Sequence, residues 1–249
     1  TTMKKTLWQE FARNTLISLG VYAALFLILY IIEMFVPEWR GTLLRWSDAD
    51  FLVGIPASLA GTIYILTIQN PKNYTGFVGA IAMAVFLTWQ FALLGNWDLV
   101  VLHFALFIPF QCTSLVRWRR NALSLSSDTQ PFLPDWLSYK GFMLNVVFAL
   151  LVVAIDYCIL SWLNAGAFFE DITVKLLGGL MIASSVLGNF WMIYKKIDTW
   201  IWWIVYGVAG IVFYIITNNS FTLLMFLITV IIDIRAMISW IKSSQRLEK

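Results

Sequence analysis

Residues 51–68 contain no charged side chain, and neither do residues 76–94. Such stretches constrain the fold more than any motif in the chain. The hydrocarbon core of a bilayer is about 30 Å thick and a helical residue rises about 1.5 Å, so about 20 apolar residues make one crossing. Eight runs meet that condition: 16–36, 51–68, 76–94, 97–118, 141–163, 172–194, 199–216 and 219–240. They are long and continuous, unlike the alternating segments of roughly ten residues in a membrane β-barrel. The expectation is an all-α integral membrane protein with eight transmembrane helices. Composition agrees: 60% of the 249 residues are hydrophobic and 12% are charged, whereas a soluble domain carries roughly 25% charged residues.

Gly95-Asn96 separates the third run from the fourth, and Thr217-Asn218 separates the seventh from the eighth. Both are turn dipeptides, so each pair reads as a tight helical hairpin. Basic residues alternate with the runs. Lys4, Lys5, Arg13, Lys72, Arg117, Arg119, Arg120, Lys140, Lys195, Lys196, Lys242, Arg246 and Lys249 fall on one side, and Arg40, Arg45 and Lys175 on the other. The positive-inside rule then places both termini in the cytoplasm. The first run is long enough to span and does not read as a cleavable signal, and Thr1-Thr2 before Met3 is set aside as an expression remnant.

The chain also repeats. A shift of 122 residues lays 51–118 on 173–240 without a gap. Asn96 then meets Asn218 at the hairpin turn, Trp118 meets Trp240 at the cytoplasmic exit, and Gln111 meets Asp233. Gln111 and Asp233 are the main polar interruptions of their helices, each seven residues before the terminal tryptophan. Both copies run in the same direction, which one intervening helix permits. Parallel repeats of this kind occur in transporters, and matched polar groups point to a site on their axis. The expected layout is an N-terminal segment with an extra transmembrane helix (1–40), a three-helix repeat (51–118) and a cytoplasmic linker (119–139). A linking helix (140–163), a second repeat (172–240) and a cytoplasmic tail (241–249) follow.

At the start of the seventh run the sequence reads Lys195-Lys196-Ile197-Asp198-Thr199-Trp200-Ile201-Trp202-Trp203. This basic pair, Ile, acid and spaced tryptophans, with the closing Trp118 and Trp240, resembles the Pnu vitamin transporters, and among them the nicotinamide riboside branch, PnuC. The resemblance implies a SWEET-like core of three plus one plus three helices. It also implies facilitated diffusion of nicotinamide riboside, with intracellular phosphorylation trapping the vitamin, or of thiamine or riboflavin on the same scaffold. It further implies a homotrimer in a bacterial cytoplasmic membrane. One departure is Gly207, where the family pattern carries Asn four positions past the second spaced tryptophan.

Nicotinamide riboside and thiamine are cations with flat rings and hydroxyl groups. Such a solute needs aromatic faces, hydrogen-bonding amides or hydroxyls, and a carboxylate. Trp203, Tyr206, Gly207, Gly210 and Tyr214 share one side of the seventh helix at helical spacing. Trp203 lies a turn deeper than Trp200 and is the better stacking surface. Trp202 points elsewhere and reads as an anchor in the aromatic belt. Ser185 and Asn189 share a face of the sixth helix, as cavity-lining groups or as helix–helix glue. Trp89-Gln90 repeats the pairing of ring and amide. The candidate substrate-binding residues are therefore Trp89, Gln90, Gln111, Ser185, Asn189, Trp200, Trp203, Tyr206 and Asp233. Asp156 reads as packing, His103 as a hydrogen-bonded interior histidine, and Pro109 as a kink that is either a hinge or a static bend.

An intramembrane enzyme is disfavoured, because no Ser/His pair, metal-ligand cluster or glycine-rich phosphate loop is present. Cys112 and Cys158 have neither a disulfide nor a metal spacing. No cofactor, metal or nucleic-acid partner is expected; the partners are a small vitamin and the lipid bilayer. Ion coupling is not expected either, with Asp233 and Asp156 the only acids placed for it.

Overall fold

In the computed structural model, residues 2–36, 44, 47–93, 97–124, 134–162, 171–216 and 220–245 are described. They form eight helices. These are α1 (Thr2–Phe35), α2 (Ala49–Ile68), α3 (Gly76–Leu93), α4 (residues 97–124), α5 (Tyr139–Trp162), α6 (Ile172–Ile193), α7 (Asp198–Ile216) and α8 (Ser220–Gln245). Seven spans, one on each of α1 to α7, are long and apolar enough to cross a membrane among the described residues. The hairpin dipeptides Gly95-Asn96 and Thr217-Asn218 lie outside the described residues.

The helix starts follow the 122-residue offset. A shift of 122 carries the starts of α2, α3 and α4 at 49, 76 and 97 to 171, 198 and 219, each within one residue of α6, α7 and α8. Two differences from expectation stand out. The first helix starts near Thr2 instead of residue 16, because its polar first turns have a protein surface to bond to. Over 119–124, the first part of the expected linker, α4 continues as helix to Ser124.

The chain divides into two compact units, Thr1–Pro131 and Phe132–Lys249. In the first unit a polar seam fastens α1 to its neighbours. Asn14 Nδ2 donates to Thr67 Oγ1 at 3.3 Å, and the Tyr22 and Thr62 hydroxyls meet at 3.2 Å. Glu10 accepts from Asn70 Nδ2 at 2.9 Å and from Asn73 Nδ2 at 3.1 Å. Asn73 is fully buried in the α2–α3 turn, and its Oδ1 accepts from the Thr75 amide and hydroxyl. Bonds of this kind satisfy amides that lipid could not.

The fourth helix is not uniform. Trp97–Leu102 passes through a π-helical turn at His103–Phe107 into Ile108–Ser124. Pro109 has no N–H to give to the carbonyl four residues back, and the wider turn absorbs that loss. His103 Nδ1 lies 2.8 Å from the Leu99 carbonyl, and its ring packs against Phe91 and Phe107. The matched position in α8 is Ile231, and that helix is regular from Ser220 to Gln245. The irregular turn beside Pro109 thus has no counterpart in α8.

In the second unit Asp171 caps α6 by accepting from the Thr173 amide at 2.7 Å. The helix ends where Lys195 adopts a φ of 55°, the left-handed geometry that reverses a chain and costs a non-glycine residue about 1–2 kcal/mol. The helix α5 lies over α6 and α7 through Ala149, Ala183, Leu187 and Trp202.

Candidate solute-binding site

The second unit holds most of the chemistry. Its helices α7 and α8 are antiparallel, and glycines set their spacing. A Cβ at Gly210 would stand 2.2 Å from the Phe226 ring, and one at Gly207 would stand 2.3 Å from Val230 Cγ2. Large side chains of α8 therefore sit in notches of α7. A chain of rings results. Trp203 meets Tyr206 edge-on at 5.6 Å, Tyr206 meets Phe226 at 5.3 Å, and Phe226 meets Tyr214 at 5.2 Å. The indole of Trp203 also lies on Gly188 of α6.

Asp233 shares the Phe226 and Val230 face of α8 at helical spacing. The register of the two glycine notches puts it opposite positions 203–204 of α7. It is 0% exposed, and neither carboxylate oxygen has a hydrogen-bond partner. An ion buried without a partner is among the costliest groups a protein can hold. Arg235, two positions on, is exposed and lies on another face of the helix.

The other expected residues of this unit are placed differently. Trp200 is fully buried, edge-on to Trp240 at 5.2 Å. Trp202, expected as a belt anchor, is instead buried, stacked on Phe142 of α5 at 6.0 Å. That correction has a simple cause: α5 covers the face of α7 that a belt residue would turn to lipid. Ser185 Oγ donates to the Ile182 carbonyl at 2.9 Å, and Asn189 Nδ2 donates to the Ser185 carbonyl at 2.8 Å. Asp156 packs beside Gly179.

The motif at 195–198 has a role that its spacing did not reveal. Residues 134–138 lie extended against it. Asp135 and Lys196 form a parallel β-bridge, and the Ile197 amide donates to the Asp135 carbonyl at 2.8 Å. Lys196 Nζ pairs with the Asp135 carboxylate. Asp198 is buried and accepts from the Leu137 amide at 2.7 Å. The basic pair and the acid thus clasp the strand that leads into α5. A buried acid beside a turn is the signal that marks such a clasp.

In the first unit, Gln111 of α4 is 2% exposed, on the same buried face as Phe107, Ser114 and Trp118. Trp118 meets Phe77 edge-on at 4.8 Å, as Trp240 meets Trp200, although the shift of 122 carries Phe77 to Thr199. Gln90 turns inward, so that a Cβ at Gly54 would stand 2.7 Å from its Nε2. Trp89 is 55% exposed, so ring and amide part company. Among the described residues no cluster of three metal-ligating side chains occurs.

Comparison with known proteins bears on this arrangement. A solved structure described as the crystal structure of the vitamin B3 transporter PnuC aligns with a TM-score of 0.61 at 16% identity. The alignment covers 95% of this chain and 92% of that one, and at this identity the likeness concerns the fold. No curated protein matches the chain. The model of the nicotinamide mononucleotide transporter family matches residues 51–242, which take in both helix triplets, the clasp and the linking helix. The chain is therefore a multi-pass membrane protein belonging to the nicotinamide mononucleotide transporter family, and so a transporter and not an enzyme.

Proposed function

We propose that this protein carries nicotinamide riboside across a bacterial cytoplasmic membrane by facilitated diffusion, with phosphorylation inside the cell trapping the vitamin. Both termini lie in the cytoplasm in this reading, and eight helices span, as one N-terminal helix plus a three-plus-one-plus-three core. The observation that carries the reading is Asp233, a buried carboxylate without a hydrogen-bond partner, which the glycine register sets opposite positions 203–204 of α7, where Trp203 meets Tyr206 edge-on. A pyridinium ring is flat and positively charged. Stacking on an indole and facing a carboxylate stabilise it together, and a desolvated cation–π contact alone contributes about 0.5–2 kcal/mol. Asn189 and Trp200 of the same unit complete the proposed set.

The same carboxylate favours the nucleoside over the mononucleotide. A 5′-phosphate brings negative charge toward Asp233, and like charges at close range cost energy in a low-dielectric interior. Riboflavin is neutral and gains nothing from the carboxylate. Tryptophan fluorescence of the purified protein, titrated with nicotinamide riboside, nicotinamide mononucleotide, thiamine and riboflavin, tests the proposal. Saturable quenching by nicotinamide riboside at the lowest concentration is expected. Stronger binding of the mononucleotide, or no response to any of the four, would overturn it.

A further inference from the structure

Hydroxyl groups in these helices have a regular habit. Thr15, Ser18, Thr62, Thr67, Thr88 and Thr113 each donate to the carbonyl four residues back, and Ser185 to the one three back. A serine in an apolar helix satisfies itself in this way because lipid offers no partner. Two buried serines depart from the habit: Ser114 Oγ and Ser184 Oγ have no hydrogen-bond partner. Ser184 is 0% exposed.

The place of Ser184 gives the departure meaning. It lies four residues before Gly188 on α6, and so on the same face one turn farther from the 194–197 turn. That face carries the Trp203 indole at Gly188. Antiparallel pairing of Gly188 with Trp203 sets Ser184 level with Gly207 of α7. Asp233, opposite 203–204, is within about one helical turn of that height. Ser185, chosen from sequence for its i, i+4 relation to Asn189, spends its hydroxyl on its own helix.

We propose that Ser184 is a specificity-determining residue whose hydroxyl is kept for a sugar hydroxyl of a nucleoside cation held at Trp203 and Asp233. The inference rests on the transport reading above and deepens it. In such a solute the sugar hangs from the charged ring nitrogen. A group one turn from the carboxylate therefore meets the sugar, while the ring lies on the indole. A hydroxyl–hydroxyl bond also discriminates by loss: an analogue without the sugar leaves Ser184 as it is in the empty protein.

Ser184→Ala keeps the packing volume and removes only the oxygen. Binding of nicotinamide riboside and of N-methylnicotinamide, the same cationic ring without the sugar, is measured for wild type, Ser184→Ala and Ser185→Ala. Thermal midpoints are taken alongside. The expected result is a loss of at least fivefold in riboside affinity for Ser184→Ala, with N-methylnicotinamide affinity unchanged. Its midpoint is equal to or above wild type, since a hydroxyl without a partner has gone. Ser185→Ala keeps wild-type affinity for both. Unchanged riboside affinity in Ser184→Ala, with wild type binding normally, overturns this inference and leaves the transport reading standing. An equal loss for both probes overturns the sugar assignment. Wild-type protein that binds neither probe overturns the transport reading itself.

Discussion

The indole of Trp203 lies on the backbone of Gly188, where an added Cβ would stand 3.0 Å from the ring's Nε1 and Cε2. This contact fixes the ring that the proposed solute stacks on. It also explains why a glycine sits one residue before Asn189 in a buried stretch of α6. Gly188→Ala is expected to push the ring by a few tenths of an ångström and weaken nicotinamide riboside binding about tenfold, or about 1.4 kcal/mol. Overpacking limits the stability loss to about 1–3 kcal/mol. Fluorescence titration and a thermal melt read the two effects separately, and unchanged affinity would detach Trp203 from the site.

Gly207 and Val230 form a second notch, and they bear on the departure from the family pattern. A Cβ at 207 would stand 2.3 Å from Val230 Cγ2, and valine is stiff about χ1. The family's asparagine therefore does not fit this chain as it stands. Gly207→Asn is expected to lower stability by about 1–3 kcal/mol. The double variant Gly207→Asn, Val230→Ala is expected to recover most of that loss. Equal melts for the single and double variants would show that Val230 is not the obstacle.

The clasp at 134–138 makes a separate prediction, because it lies away from the rings. Asp198 is buried and holds the Leu137 amide. Asp198→Ala leaves that amide without its charged acceptor and is expected to cost about 1–3 kcal/mol. Hydrogen exchange would rise at residues 135–138 and at 195–197 while the middle of α7 stays protected. Uniform exchange across α7 would argue that Asp198 serves the whole helix and not the clasp.

Much of the fold was legible because long apolar runs and turn dipeptides have a single physical reading. The helix starts of the two triplets agree with the 122-residue offset to within a residue. The start of α1 was not legible: its polar first turns pair with Asn70 and Asn73, some sixty positions away, and periodicity cannot see that. Trp202 was misplaced for a related reason. Spacing shows that it faces away from Trp203, but not that α5 lies on that side. Gln111 and Asp233 were legible as rare polar groups in apolar helices. Ser184 and Ser185 were not distinguishable, since only the direction of each hydroxyl separates a self-satisfied serine from one without a partner.

The charge of Asp233 is the centre of the proposed function, and one comparison isolates it. Nicotinamide riboside and its dihydro form have nearly the same shape, but the first is a cation and the second is neutral. Their affinities are measured for wild type and for Asp233→Asn, which keeps the side-chain volume. Wild type is expected to prefer the cation by at least tenfold, and Asp233→Asn to bind the two within about twofold, a loss of roughly 1.4 kcal/mol or more of discrimination. A variant that keeps the full preference for the cation would contradict the assignment.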